Sequence, residues 1–132
     1  MHSQIGRRNP IYTTDIGKIL LSDHSEESIR HLFSDIKFEK STPKTLENIE
    51  QFLAEIETVK RQRYAEDNEE QELGLYCIAV PVYNRFGNII YGLSISFPTM
   101  RFDQKRKSYY VQLLQNAGKK ISEQLGYEDY PI

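Results

Sequence analysis

The sequence predicts an α+β domain in which helices flank an antiparallel β-hairpin. Two segments rich in aliphatic and aromatic residues, Leu75 to Tyr83 and Asn88 to Phe97, are separated by a short turn-like cluster that contains Gly87. Such an arrangement is typical of a hairpin. Apolar residues recur at helical spacing from Thr45 to about Arg61 and again from Asp103 to Leu125. That period predicts two long amphipathic helices. With 132 residues, the chain has the length of one domain.

The first third of the chain contains signals for two short helices and one short strand. The segment from Ile5 to Tyr12 is expected to be a loop or an edge strand. Threonine, serine and aspartate are good N-caps, so a short apolar helix is expected to begin at Thr13 to Asp15 and a second one at Ser25. Phe38 to Ser41 is expected to form a short strand.

The start of the first helix leaves two interpretations open. The first backbone N–H groups of a helix have no helical partner, and such groups can bind an anion. Alternatively, the side chain of Thr14 or Asp15 satisfies them.

The hairpin places small and polar side chains on one face. We expect Tyr83 to pair with Asn88, so that Cys77 faces Ser94, Ala79 faces Gly92 and Leu75 faces Ser96. Side chains alternate along a strand, so these residues share a face. That face leaves space either for a closely packed helix or for a small ligand. The opposite face is the predicted core: Tyr76, Ile78, Val80, Val82, Ile89, Tyr91, Leu93, Ile95 and Phe97. Pro81 cannot donate a ladder hydrogen bond, which indicates an edge position or a bulge.

The last third of the chain is predicted to form a helix after Pro98 ends the sheet. Asp103 is expected to cap this helix, and Gly126 to end it. Its predicted buried stripe comprises Tyr110, Leu113, Leu114, Ala117, Ile121 and Leu125. Two strands alone are marginal in water. We therefore expect either strands upstream in a larger domain or a partner chain to complete the sheet.

The composition indicates a soluble protein of the cytoplasm. A net charge of −2 and an isoelectric point near 5.9 argue against a general nucleic-acid surface. The single cysteine allows no disulfide within the chain, which fits a reducing compartment. Residues 1–4 lack the apolar core of a signal peptide, and no apolar run is long enough to span a bilayer.

Three segments together resemble the effector-binding domain of IclR-type transcriptional regulators. Arg7 to Leu21 is similar to the family segment PLYATALGKALLA, Asp67 to Val82 to DDEE…GLRCIAAPV, and Gly92 to Pro98 to ALSISGP. Within the family, the resemblance is strongest to the branch that represses pectin and 2-keto-3-deoxygluconate catabolism. This resemblance covers nearly the whole chain.

The resemblance implies a GAF-like fold, with an antiparallel sheet that binds a small organic acid beside a helix N-terminus. Residues 1–132 would then be a single effector-binding domain that lacks both the upstream winged helix-turn-helix and the first part of the effector domain. The implied partners are a 2-keto acid such as 2-keto-3-deoxygluconate, further copies of the chain in a dimer or tetramer, and DNA only through the N-terminal domain absent here. No membrane partner, metal or cofactor is expected.

The resemblance also implies a set of effector-binding residues. They are the backbone amides at Asp15 and Ile16, together with Asp67, Cys77, Ser94 and Ser96. Asp15 stands where the family usually has a small residue, and its carboxylate would repel an anion unless it points away as a cap. Arg63 stands where the family usually has a helix-ending glycine.

Other functions are weaker alternatives. Cys77 could be the nucleophile of an enzyme, but a small buried cysteine in a strand usually has a packing role, so we expect no catalytic residue. His24 and His31 match no standard zinc spacing. The acidic run from Asp67 to Glu72 lacks the pattern of a calcium loop and is expected to be solvated. A ligand-independent oligomerisation module, built on exposed Tyr109, Tyr127 and Tyr130, is the remaining alternative.

Overall fold

The computed structural model describes residue 5 and residues 8–132 and contains a three-stranded antiparallel sheet with helices on both faces. This arrangement confirms the predicted α+β class. The helices are α1 (Asp15–Leu21), α2 (Glu26–Leu32), α3 (Ile49–Gln62) and α4 (Lys107–Gln124), and the strands are β1 (Ala65–Asn68), β2 (Leu75–Tyr83) and β3 (Ile89–Pro98). In this described part of the chain, no helix has the length and hydropathy needed to cross a bilayer.

Helix α1 covers the small-residue face of the hairpin. Thr14 is its N-cap and accepts a hydrogen bond from the amide of Gly17 at 3.0 Å. Gly17 has no room for a side chain, because a Cβ there would lie 2.1 Å from the carbonyl oxygen of Ile11. A Cβ on Gly92 of β3 would lie 3.1 Å from the side chain of Ile16. The space left by small residues on the sheet is therefore partly filled by a helix.

Two expectations for the chain before the sheet are corrected. The segment from Phe38 to Ser41 is not a strand, because the Glu39 amide donates to the hydroxyl of Tyr12 and not to a neighbouring strand. The long helix begins at Ile49, with Asn48 as its N-cap, and not at Thr45. Thr45 is buried instead, and its hydroxyl donates to the Glu70 carbonyl at 2.7 Å. Of the predicted loop or edge strand at the N-terminus, residues 6 and 7 lie outside the described residues, and residues 8–10 have no regular structure.

The sheet has one strand more than the hairpin predicted. Strand β1 pairs with β2, and the order is β1-β2-β3. Its sequence is short and acidic, so it lacks the apolar content that marks most strands. Pro81 lies beyond the last β1 pair, Ala65 with Ala79, so its missing N–H leaves no β1 partner unpaired.

The register of the hairpin was predicted incorrectly by two residues. Cys77 pairs with Ser96, not Ser94, and Ala79 pairs with Ser94, not Gly92. Leu75 correspondingly pairs with Pro98. The error has two sources, a turn longer by one residue and a bulge between Val82 and Tyr83. Because a shift of two residues restores the alternation, the small-residue face was still assigned correctly.

The bulge also changes which residues reach the core. Ile89 packs with Ile19, Val59 and Ala79 on the α1 side, not on the predicted opposite face. Tyr91 is 62% exposed instead of buried. Six other residues of the predicted set pack against α4: Tyr76, Ile78, Val80, Leu93, Ile95 and Phe97. Val82 is buried as well.

Helix α4 is rotated relative to the predicted stripe. A 3-10 turn capped by Asp103 precedes it, and Gly126 follows it with φ at +98°. The buried residues of α4 are Val111, Leu114, Gly118 and Ser122, whereas Leu113, Ile121 and Leu125 are exposed. Tyr130, expected to be exposed, is buried and donates to the Pro81 carbonyl at 2.7 Å.

A buried ion pair ties α1 to the loop between β1 and β2. The side chain of Lys18 has no exposed surface, and its Nζ lies 2.9 Å from Oε1 of Glu70, which is 7% exposed. The same ammonium donates to the Glu66 carbonyl at 2.7 Å. Every donor of a lysine must be satisfied when it is buried, so this contact fixes the acidic loop against the helix.

Removing one member of this pair is expected to destabilise the fold strongly. Lys18→Met leaves the Glu70 carboxylate buried without its cation, which typically costs about 3–5 kcal/mol, and it also removes the weaker 3.4 Å contact to the partly exposed Glu55. Urea unfolding of the variant should show this loss. The double variant that combines Lys18→Met with Glu70→Met is the matched control, because replacing both charges by apolar side chains lowers the free energy of unfolding far less than removing one of them. A double variant that loses as much as the sum of the two single variants would contradict the coupling.

Candidate functional site

Predicted site residues form a row across the three strands. Asp67 of β1 pairs with Cys77 of β2, and Cys77 pairs with Ser96 of β3. The adjacent row on the same face consists of Ala65, Ala79 and Ser94. Cys77 Sγ and Ser96 Oγ share a hydrogen bond of 3.2 Å, and Ser96 is exposed. The sheet therefore presents a carboxylate, a thiol and a hydroxyl in line.

Asp67 is buried and forms the turn that starts the acidic loop. Its Oδ1 accepts from the amides of Glu70 at 2.8 Å and Gln71 at 3.3 Å. Its Oδ2 has no hydrogen-bond partner among the described residues. Burial raises its pKa to about 6, and the nearby carboxylates of Glu70 and Asp15 add to the effect. The expectation of a solvated loop was therefore wrong at Asp67 and Glu70, which are both buried.

Asp15 brings a second carboxylate to the same face. Its Oδ2 accepts a 2.5 Å hydrogen bond from the hydroxyl of Ser94, and its Oδ1 accepts from the Ile16 amide at 2.9 Å. Burial raises the pKa of Asp15, although both hydrogen bonds oppose this shift. Of the two interpretations of this helix start, the structure favours capping, because the Ile16 amide is already occupied by Asp15.

Cys77 is neutral at physiological pH. Burial raises its pKa to about 12; the hydrogen bond from Ser96 lowers it, and the charges of Asp15 and Asp67 raise it further. A thiol of this kind is a weak donor and a poor nucleophile, because only the thiolate attacks. Cys77 is thus suited to contact a ligand and unsuited to covalent chemistry.

The structure brings together the side chains of five predicted residues, although Asp15 was expected to contribute its backbone amide and not its carboxylate. Asp67, Cys77 and Ser96 lie in one row, and Asp15 reaches the adjacent row through Ser94. The sixth, Ile16, contributes an amide that is not free. The residues 5 and 8–132 contain no group of three or more side chains that could hold a metal ion.

Sequence reasoning missed the two residues that position this site. Lys18 and Glu70 form the buried ion pair that holds α1 against the acidic loop. A signal for Lys18 was present, because a single cation interrupts the apolar run from Ile16 to Leu21. No local pattern distinguishes Glu70 from its acidic neighbours.

A cavity of about 240 Å³ lies elsewhere in the molecule. None of the six predicted site residues lines it. Its walls come from the C-terminal ends of α1 and α3, from the hairpin beside the turn and from the C-terminal tail: Ile19, Ser22, Asp23, Val59, Lys60, Arg63, Pro81, Tyr83, Ile89 and Pro131.

Comparison with known proteins identifies relatives of the whole chain. The family described as bacterial transcriptional regulator IclR C-terminal matches residues 1–123. HTH-type transcriptional regulator KdgR of Escherichia coli K12 is 50% identical over 132 residues, which cover all of this chain and 50% of that protein. The chain thus spans about half the length of this relative.

Solved structures agree with these relationships. The crystal structure of the C-terminal domain of E. coli KdgR has 50% identity and a TM-score of 0.88, with 93% of this chain and 75% of that chain covered. The inducer-binding domain of a double mutant of the Acinetobacter transcription factor PobR, solved with 3-hydroxybenzoic acid, has 30% identity and a TM-score of 0.84; the match covers 90% of this chain and 69% of that chain. Both the predicted family and its predicted branch are confirmed.

The raised pKa of Asp67 predicts a specific pH dependence of stability. The pKa of about 6 in the folded chain exceeds the ordinary value of 3.8. Between these two pKa values the folded state binds more protons than the unfolded state does. The free energy of unfolding therefore falls as the pH rises from the unfolded pKa through the folded pKa of about 6. Asp67→Asn keeps the turn acceptor and cannot ionise. Between pH 5 and pH 7.5, the wild type should lose about 1–2 kcal/mol of unfolding free energy relative to this variant.

Urea unfolding of both proteins at the two pH values measures this difference. An equal pH dependence in the wild type and in Asp67→Asn would contradict the assignment, because it would show that Asp67 does not titrate in this range.

Proposed function

The chain belongs to the IclR C-terminal family of bacterial transcriptional regulators, and from this membership we propose that it senses a small organic acid. In detail, it is the effector-binding and oligomerisation domain of a repressor of pectin or hexuronate catabolism. Its effector is a 2-keto sugar acid such as 2-keto-3-deoxygluconate. As part of a bacterial regulator of transcription, it acts in the cytoplasm. The named relatives are regulators of transcription, and we assign no enzymatic activity to this chain.

One observation carries the proposal: polar groups converge on the sheet face beside the start of α1. Asp67 has one carboxylate oxygen without a partner among the described residues, and the hydroxyl of Ser96 is exposed. A sugar acid presents hydroxyl donors to the first group and carbonyl or carboxylate acceptors to the second. Hydrogen bonds to charged groups contribute about 1.5–3 kcal/mol each.

The two buried carboxylates fix the orientation of the effector. The carboxylates of Asp15 and Asp67 would repel the carboxylate of an effector placed between them. The hydroxyl-bearing end of the sugar acid therefore faces Asp67, and its carboxylate lies toward Ser96 at the exposed strand β3. This orientation differs from the one implied by the family resemblance, in which the amides of Asp15 and Ile16 receive the carboxylate, because the side chain of Asp15 occupies the Ile16 amide.

A relative gives independent support for a small acid as the effector. The PobR domain that matches this chain is described as inducer-binding, and it was solved in complex with 3-hydroxybenzoic acid. That ligand, like the proposed effector, carries a carboxylate and a hydroxyl. We transfer to this chain the ligand class and not the ligand.

The domain organisation is also a proposal. We infer that residues 1–132 belong to one effector-binding domain. The first part of that domain, preceded by a winged helix-turn-helix, lies upstream of these residues. Strand β3 has a partner strand only on its β2 side among the described residues, and the KdgR C-terminal structure extends beyond this match. An upstream strand would cover the free edge, and DNA would be bound only through the N-terminal domain.

Self-association is supported by apolar surface on α4. Tyr109, Leu113, Ile121 and Leu125 are all at least 37% exposed, and they follow each other at intervals of four or eight residues, so they lie along one side of the helix. A dimer or tetramer of the regulator would bury this stripe. A ligand-independent oligomerisation module is the second candidate function, and this surface is the observation that favours it.

Effector binding is expected to depend on Ser96. Ser96→Ala removes an exposed hydroxyl whose one hydrogen bond among the described residues is to Cys77 Sγ, so it should leave the fold intact. It should weaken binding of 2-keto-3-deoxygluconate by about 1 kcal/mol, or roughly fivefold. Titration calorimetry of both proteins measures this change.

Ser108→Ala, at an exposed position on α4, is the matched control and should bind like the wild type. The sensor proposal fails if the wild type takes up neither this acid, pyruvate nor glyoxylate. Association that ignores all three acids would favour the oligomerisation module.

A further inference from the structure

The cavity of about 240 Å³ has the size of a site for a small molecule. The cavity has room for several water molecules and is partly open to solvent. Typical sites for drug-sized ligands begin at about 300 Å³. The lining includes an apolar part, formed by Ile19, Val59, Pro81, Ile89 and Pro131. A compact apolar body fits such walls.

Arg63, which lines this cavity, adopts a backbone conformation that an arginine rarely adopts. It is the C-cap of α3, with φ at +65° in the left-handed region. Glycine is preferred there, and a residue with a side chain is strained. The guanidinium has no hydrogen bond or ion pair with any described residue. The chain thus tolerates strain at a position that presents an exposed guanidinium to the cavity.

Tyr83 provides a second unpaired donor in the same cavity. Its ring packs against Tyr127, with centroids 4.9 Å apart, and against Tyr130, with centroids 5.5 Å apart. These contacts fix the ring, while the hydroxyl has no partner in the described part of the chain. Burial raises the pKa of Tyr83, although the positive charge of Arg63 opposes the shift. The hydroxyl therefore stays protonated, and it lies within electrostatic reach of Arg63.

Arg63 is the cation of the cavity that can meet an anion. Lys60 also lines the cavity, but its Nζ lies 3.6 Å from Oε1 of Glu57, and Asp23 is the one anionic side chain in the lining. Asp23 is partly occupied, because its Oδ2 accepts from the Ile89 amide at 3.0 Å. The C-terminal ends of α1 and α3 contribute only partial negative charge. A carboxylate matches the forked guanidinium geometrically and accepts from the tyrosine hydroxyl as well.

We propose that this cavity is a second binding site, which takes a small organic carboxylate with a compact apolar body. Arg63 and Tyr83 hold the carboxylate, and the aliphatic walls hold the body. The site shares none of the residues assigned to the sugar acid, although Pro81 and Ile89 lie on the same side of the sheet, so the two sites can be tested separately.

Cyclohexanecarboxylate is a suitable probe, and cyclohexanecarboxamide is its neutral match. Amide chemical shifts of the ¹⁵N-labelled protein are followed as each compound is added. The acid should produce saturable shifts at Arg63, Tyr83 and Ile89, and the amide should bind at least tenfold more weakly. Arg63→Gly should weaken binding of the acid at least tenfold. Because glycine relieves the strain at this φ, the variant should be at least as stable as the wild type.

Arg61→Gln is the control, since Arg61 is an exposed arginine of the same helix that does not line the cavity. It should bind the acid like the wild type. Tyr83→Phe should weaken binding by a smaller factor, because one hydrogen bond is lost. The proposal is overturned if shifts appear only near Cys77 and Ser96, if they do not saturate, or if Arg63→Gly binds the acid as tightly as Arg61→Gln does.

Discussion

The rest of the structure depends on the buried ammonium of Lys18. A lysine without any exposed surface must have its charge neutralised and its donors satisfied. Glu70 and the Glu66 carbonyl meet both needs together with Glu55 of α3, whose Oε1 lies 3.4 Å from the ammonium. Glu66 lies in β1 and Glu70 in the loop that follows it. A helix and a loop that are far apart in sequence are thereby held at one end of the sheet. Packing of α1 on the glycine and alanine positions of the hairpin completes the same contact.

This constraint explains the chemistry of the sheet face. Asp15 begins the helix that carries Lys18, and Asp67 begins the loop that carries Glu70. Joining the helix to the loop therefore brings two carboxylates beside Cys77 and Ser94. Both are buried, and each has a raised pKa because water has been removed from it. Charges held under such conditions are common at binding sites, where a ligand can supply the missing partners.

Sequence reasoning succeeded where a pattern is local and failed where a partner is remote. The alternation of Cys77, Ala79, Ser94 and Ser96 assigned the correct face of the hairpin, because alternation survives a shift of two residues. Neither the bulge nor the strand β1 has a local signal, so the register was wrong and the third strand was expected at Phe38 to Ser41 instead of Ala65–Asn68. The role of Thr45 was missed for the same reason, since its hydroxyl bonds to the Glu70 carbonyl, which is distant in sequence. The site residues came from the family resemblance, and the ion pair that positions them came from the structure.

The location of the bound effector tests the central claim most directly. Amide chemical shifts of the labelled protein, recorded while 2-keto-3-deoxygluconate is added, report that location residue by residue. The account predicts saturable changes concentrated at Asp67 and the loop to Gln71, at Cys77 and at Ser94 to Ser96. Saturable changes confined to the surroundings of Arg63 and Tyr83, or none at any concentration, would contradict it.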